Sequence, residues 1–335
     1  MDPNHKNVWI CDIEKDTETV KNVRNFLRQI IDIYTLDSEL PESFPESKKD
    51  LLKNSLEKRW SLFQIDSSKI HDLLSSLFDD DSRFDSRLLL EKVGVPAEFN
   101  TPSDKLIIEG NDWDNFVKAI QFSNRFHTKT INLKKLKYFL GYTSAILSKR
   151  STKLLRCRIS NNIQLKKKDL GAPPPNIASA GRLNPEWISV LYLSDSEQAC
   201  IQEVRASFQD TVYIGRFSLK DDLKLIDLSE FDVVALNGEV DFLDYYLNRD
   251  VMIKISENFS KPTNNDFKLI DYLPLQYISE FIKSFEGDEK IDGIRYKSVM
   301  DEEALNIMLF DSNKANCNSV YSKKVSKVAY SIVNL

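Results

Sequence analysis

Gly181-Arg182-Leu183-Asn184-Pro185, then Leu191-Tyr192-Leu193, then Gln202-Glu203-Val204-Arg205 is the stretch on which the reading of the fold turns. Val190–Leu193 is short, apolar and alternating, which predicts a strand with Leu191 and Leu193 on one side and Val190 and Tyr192 on the other. Ser194 and Glu197 satisfy an S-x-x-E capping box, so a helix over Glu197–Ala206 is expected directly after it. On that helix Ala199, Cys200, Glu203 and Val204 share a face, which puts Glu203 on or beside an apolar stripe. Upstream, Gly171-Ala172-Pro173-Pro174-Pro175 cannot continue a helix and predicts a rigid extended loop. Gly181 then allows a tight turn or close approach of a ligand, and Arg182 beside it has the planar fork that suits a phosphate. Taken singly these residues have ordinary readings. Arg182 is then a surface ion-pair partner, Tyr192 a packing ring, and Glu203 a carboxylate paired with an arginine such as Arg205 or lining a cleft.

Outward from this stretch the two halves of the chain differ. From about Val20 to Leu140 the apolar residues recur at three- and four-residue steps. They do so in Val20, Val23, Phe26, Leu27 and Ile30, and again in Leu51, Leu52, Leu56, Trp60 and Phe63. Helices are also expected over Ile70–Leu77, Trp113–Phe122 and Leu133–Leu147, separated by Pro41–Pro45, Asp79–Asp81 and Val95-Pro96. Beyond Lys149, β-branched and aromatic runs predict strands at Val212–Phe217, Leu223–Leu228, Gly293–Tyr296 and Leu305–Phe310, with a further helix at Leu275–Ser284. Strand and helix do not alternate regularly, so the expectation is an α+β chain. An all-helical N-terminal domain over residues 1–148 precedes a mixed α+β domain over 149–335, the boundary falling between Tyr142 and Leu155.

Length and composition narrow the functions. At 335 residues the chain exceeds one typical domain of about 150, and 41% hydrophobic residues suffice for real cores. A formal charge of −5 argues against a general binder of nucleic acid or anionic membrane, although it leaves room for a local basic patch. The run Lys166–Lys168 is read as a solvated loop. Cys11, Cys157, Cys200 and Cys317 are scattered, and His5 and His71 have no ligand-like spacing, so neither a disulfide framework nor a metal site is expected. Met1–His5 lacks the cationic start and apolar run of a secretory leader. No run approaches the ~18 apolar residues of a membrane span, and a cytoplasmic protein is expected.

The spacing of Arg182, Tyr192 and Glu203, with Tyr192 ten positions after Arg182 and Glu203 eleven after Tyr192, resembles the core of the RES family. The likeness continues in order through Leu155-Arg156-Cys157-Arg158-Ile159, Leu225-Ile226-Asp227-Leu228, Tyr272–Gln276 with Glu280, Asp292–Ser298 and Asn306–Phe310, over roughly residues 150–325. The resemblance implies an ADP-ribosyltransferase-like fold that takes NAD⁺ as substrate, with no metal. It implies a toxin or defence effector that cleaves the nicotinamide–ribose bond by hydrolysis or phosphorolysis. Protein ADP-ribosyltransfer to a specific target, or an inactive module that only binds a nucleotide or partner, are the alternatives. Carried over by position, the catalytic residues are Arg182, Tyr192, Glu203 and Ser298, and the substrate-binding residues are Arg156, Arg158 and Gly181. Trp187 stands where many members have glycine after the Asn-Pro pair. A cognate antitoxin or other regulatory partner is implied, nucleic acid and membrane are not, and self-association is left open.

The chemistry suits these residue types. Nicotinamide leaves as a neutral molecule and its positive charge passes to the ribose, so a fixed carboxylate stabilises the transition state, as in glycosidases. Glu203 fills that role, Arg182 the hold on pyrophosphate, Tyr192 the ring against cationic nicotinamide, and Ser298 a hydrogen bond to the ribose or carboxamide. The N-terminal half resembles the helical HEPN-type extension of some RES proteins through Trp113–Phe116 and Asn124–His127. Arg125 and His127 are two apart and on a helix would face different ways, so this half is read as a non-catalytic regulatory or assembly module.

Overall fold

The computed structural model describes residues 17–328 except 61, 64, 151–152, 230, 232–239, 262–268, 299 and 302. His5 and Cys11 lie outside the described residues. The chain forms two compact units, one from residues 1–111 and 232–250, the other from 112–231 and 251–335. Residues 112–148 cluster with the C-terminal unit, and 232–250 return to the first.

In the first unit α1 (Thr17–Ile31), α2 (Leu52–Trp60) and α3 (Ser67–Phe78) follow the apolar spacing that predicted them. Trp60 is fully buried; its indole N–H donates to the Tyr34 hydroxyl at 2.9 Å, and its ring packs on Phe242 and Tyr245. An all-helical unit is not what forms. β1 (Thr35–Leu36), β2 (Asp50–Leu51) and β3 (Lys92–Gly94) make an antiparallel sheet in the order β1-β3-β2. Strands of two and three residues are too short to show alternation, so the pattern cannot announce them.

The second unit opens with α4 (Trp113–Lys118), which widens into a π-helical turn over Ala119–Ser123, and continues with α5 (Leu133–Tyr142). The helix expected to reach Leu147 stops at Tyr142. Thr143 folds back on the Leu140 carbonyl, and β4 (Ser144–Leu147) pairs with β8 (Leu223–Asp227). Tertiary pairing overrides helical spacing there.

The remaining strands are β5 (Leu154–Ile159), β6 (Leu191–Ser194), β7 (Thr211–Leu219), β9 (Gly293–Lys297), β10 (Leu305–Leu309) and β11 (Ala315–Lys324). They form one eight-stranded mixed sheet in the order β11-β7-β5-β6-β10-β9-β8-β4, with β8 parallel to β9. α6 (Glu197–Glu203) follows β6, and α8 (Leu273–Lys283) precedes β9. α7 (Phe242–Ser260) contributes residues to both units. It is buried at Tyr245, Tyr246 and Leu247 and again at Val251, Met252, Ile255 and Phe259, so no single apolar stripe marks it in the sequence. The main core lies on the face of the sheet carrying Leu154, Leu191, Leu193, Phe217, Leu225, Ile307 and Leu309, closed by Leu170. Among the described residues no helix is long and apolar enough to cross a membrane.

Candidate active site

The three central strands set the site by register. Tyr192 pairs with Met308, and Asn306 pairs with Ser194 on one side and Tyr296 on the other. Directly paired residues, and those two apart, share a face of the pleat, so Tyr192, Asn306 and Tyr296 point the same way. Asn306 is buried in the run Leu-Asn-Ile-Met-Leu, and its amide donates to Glu203 Oε1 at 2.9 Å. Glu203 itself is exposed, at the last turn of α6, with one oxygen tied by a buried amide. The helix opens at Glu197 as expected, but its N-cap lies two residues later than the capping box predicted. Ser194 ends β6, and Ser196 is the N-cap, accepting from the Ala199 N–H.

Tyr296 stands among the expected residues. Burial drives its phenol well above the ordinary value; Tyr192 and Glu203 push it the same way, and Arg182 pulls against them. Tyr192 is also raised, by burial first, while Arg182 and Arg156 favour its ionised form. Arg156 joins the group from β5. Burial, then the neighbouring Arg158 cation, push its guanidinium down to about 10, and one terminal nitrogen is buried without a hydrogen-bond partner among the described residues.

The loop carrying Arg182 is built of hydrogen bonds. Gly181 N–H donates to the Asn184 carbonyl, and Asn184, itself buried, donates its amide to the carbonyls of Ser179, Pro185 and Ile188, each at 3.1 Å. The Tyr192 hydroxyl donates to Asn184 Oδ1 at 2.8 Å and accepts from Leu183 N–H at 3.4 Å. From α8, buried Gln276 donates to the Gly181 and Asn184 carbonyls at 2.8 and 3.0 Å. Gly181 is demanded by this crowding, since a Cβ there would lie 2.4 Å from Asn184 Oδ1 and 3.1 Å from the Tyr192 oxygen. Arg182 extends one nitrogen to the Phe259 carbonyl at 2.8 Å, at the C-terminal, electronegative end of α7. Trp187, at φ +65°, occupies the left-handed region that glycine adopts without strain.

Not every expected residue converges. Arg158 donates to the Gly171 carbonyl at 3.1 Å and so pins the proline-rich loop. Ser298 is buried just past β9, where its hydroxyl accepts from Met300 N–H at 3.2 Å. No hydrogen bond among the described residues joins it to Arg182, Tyr192 or Glu203. The pleat carries it on the Tyr296 side of its strand. Arg125 and His127 are exposed in a turn after the π-helical segment, not on a helix. Sequence reasoning assigned no role to Asn184, Gln276, Tyr296 or Asn306. For Asn306 a signal existed, a lone amide inside an apolar strand run; for Asn184 nothing did.

A cavity of about 280 Å³ lies elsewhere, in the first unit, lined by Lys48, Arg59, Glu98, Tyr246 and Asp250 among others. Its charges satisfy one another, Arg59 pairing with Asp250 and Glu98 accepting from the Tyr246 hydroxyl, and none of the expected residues lines it.

A mixed α+β unit built on one large mixed sheet is the class defined here. The family model of the RES domain matches residues 154–331, more than half of the chain, and the chain belongs to the RES domain family. No curated protein and no solved structure matches it. Membership makes an NAD-related enzymatic activity the expectation for this unit.

Proposed function

We propose that this RES domain cleaves NAD⁺ between nicotinamide and ribose. The observation that carries the reading is that neighbouring strands bring Tyr192 and Asn306 to one face of the sheet, where Asn306 holds Glu203 and the Tyr192 hydroxyl holds the loop of Arg182 through Asn184. Glu203, oriented by Asn306 through one oxygen, has the other to set against the ribosyl cation as neutral nicotinamide departs. Arg182, backed by the Phe259 carbonyl, retains donors for the pyrophosphate, and the unpartnered nitrogen of Arg156 is a second seat for that anion. Tyr192 offers its ring to the nicotinamide, and Ser298 and Gly181 shape the wall. Water as acceptor yields ADP-ribose and a proton; phosphate yields ADP-ribose 1″-phosphate. A toxin role, with an antitoxin that restrains it, belongs to the same reading.

The test is incubation of the full chain with NAD⁺, with and without phosphate, and chromatographic resolution of products. Nicotinamide release is expected, and Glu203→Gln should lower its rate by about 100-fold or more while circular dichroism stays unchanged. A folded protein that releases no nicotinamide under either condition, or a Glu203→Gln variant of undiminished rate, ends the reading.

A further inference from the structure

The net charge of −5 conceals a strong asymmetry. From Asn115 to Lys168 the chain has 14 Lys and Arg and no Asp or Glu, so the remaining residues together carry −19. This stretch lies wholly in the second unit. Arg156 and Arg158 are taken up by the site and the proline-rich loop, but most of the rest face outward.

At one end of this stretch large apolar groups stand in the open. Phe122 and Phe126 are 72% and 78% exposed, at the end of the π-helical turn and in the tight turn after it. Asn124 folds that turn, its N–H on the Ala119 carbonyl and its side chain accepting from His127 N–H, which keeps the two rings on one short protrusion. Leu269, 67% exposed, belongs to the adjoining turn that Gln121 reaches through the Ile270 carbonyl and Asp271. Lys118, Arg125 and Lys129 flank the rings, all exposed. With Lys134, they make no ion pair among the described residues. Most surface apolar residues are scattered and need no explanation; two exposed rings on one short turn, a leucine on the turn bonded to it, and cations beside the rings that make no ion pair among the described residues do.

We propose that this protrusion docks on an anionic lipid bilayer. Rings and a leucine at a tip enter the interface while flanking lysines and arginines meet lipid phosphates and carboxylates. A nucleic acid offers the same negative charge, but Leu269 has no face on which a base stacks, and rings this exposed lack the flat support of a stacking platform. The acidic remainder of the molecule limits attraction to the side that carries the patch. The inference stands apart from the NAD⁺ reading, since none of these residues belongs to the candidate site.

The experiment is co-sedimentation of the full chain with phosphatidylcholine vesicles, with and without phosphatidylserine. Binding to the anionic vesicles should exceed binding to neutral ones by at least about tenfold and weaken with salt. Phe122→Ser with Phe126→Ser, and separately Arg125→Glu with Lys129→Glu, should each lower it about tenfold with circular dichroism unchanged. Leu90→Ser, an exposed apolar position of the first unit, should bind as the parent does. Equal binding to both vesicle types, no binding, or patch variants that bind like the parent overturn the proposal. Loss of single-stranded oligonucleotide binding in those variants, with no vesicle binding by the parent, overturns it in favour of a nucleic-acid surface.

Discussion

Gly181 carries more of the site than its size suggests. Its missing side chain is the space in which Asn184 Oδ1 and the Tyr192 hydroxyl meet, and that contact ties the Arg182 loop to β6. Gly181→Ala should therefore destabilise the second unit by about 1–3 kcal/mol, read by thermal denaturation, because the obstructing atoms belong to a filled hydrogen-bond network and cannot swing away. Unchanged stability would mean the loop relaxes freely and does not hold Arg182 by packing. Trp187 is the converse case. Its φ of +65° gives the physical reason that glycine suits this position, and an exposed tryptophan tolerates it here at a cost of about 1–2 kcal/mol in backbone strain.

Among the elements, α6 and α8 do different work. α6 has only seven residues, too few to be stable alone, and depends on its Ser196 cap and on buried Ala199 and Cys200 against the sheet. That anchoring places Glu203 at its end. α8 holds the opposite wall through one side chain. Gln276→Ala should leave the Gly181 and Asn184 carbonyls without their donor, costing about 1–3 kcal/mol. If the loop serves substrate, KM for NAD⁺ should rise more than kcat falls, since Gln276 positions the binding loop and does not touch the reacting atoms. Equal KM in the variant would separate the loop from binding.

Across the whole molecule charge is distributed unevenly between stability and function. Arg156 is pushed down to about 10 in the fold from the ordinary guanidinium value, so the protonated form present at neutral pH opposes folding. That cost is complete below about pH 10 and lifts as pH rises above it. At pH 7, Arg156→Met should make the second unit more stable by roughly 1–2 kcal/mol in chemical denaturation while weakening NAD⁺ binding. A less stable variant would mean the guanidinium has a partner in the free protein. Acid should act first on the other unit. Glu46, Asp50, Asp66, Asp81 and Asp85 there are held below their ordinary values, as by Lys92 beside Glu46 and Arg87 beside Asp85. In the second unit Glu197 and Asp210 are lowered. Depressed carboxyls stabilise above their free values and lose that contribution as pH falls through the folded ones, so below about pH 4 hydrogen exchange should rise earlier in residues 17–111 than in the RES domain.

What the sequence determined by itself was local. The helices other than α7, the strands from β6 to β10 and the ordered Arg-Tyr-Glu spacing follow from side-chain periodicity and residue type, which a chain carries before it folds. The short strands β1 to β3, the conversion of Ser144–Leu147 into β4, the return of 232–250 to the first unit and the roles of Asn184, Gln276, Tyr296 and Asn306 were decided only in the tertiary structure. The reason is the same in each case. A two-residue strand or a buried amide is stabilised by partners far away along the chain, and no nearby residue records where those partners will be.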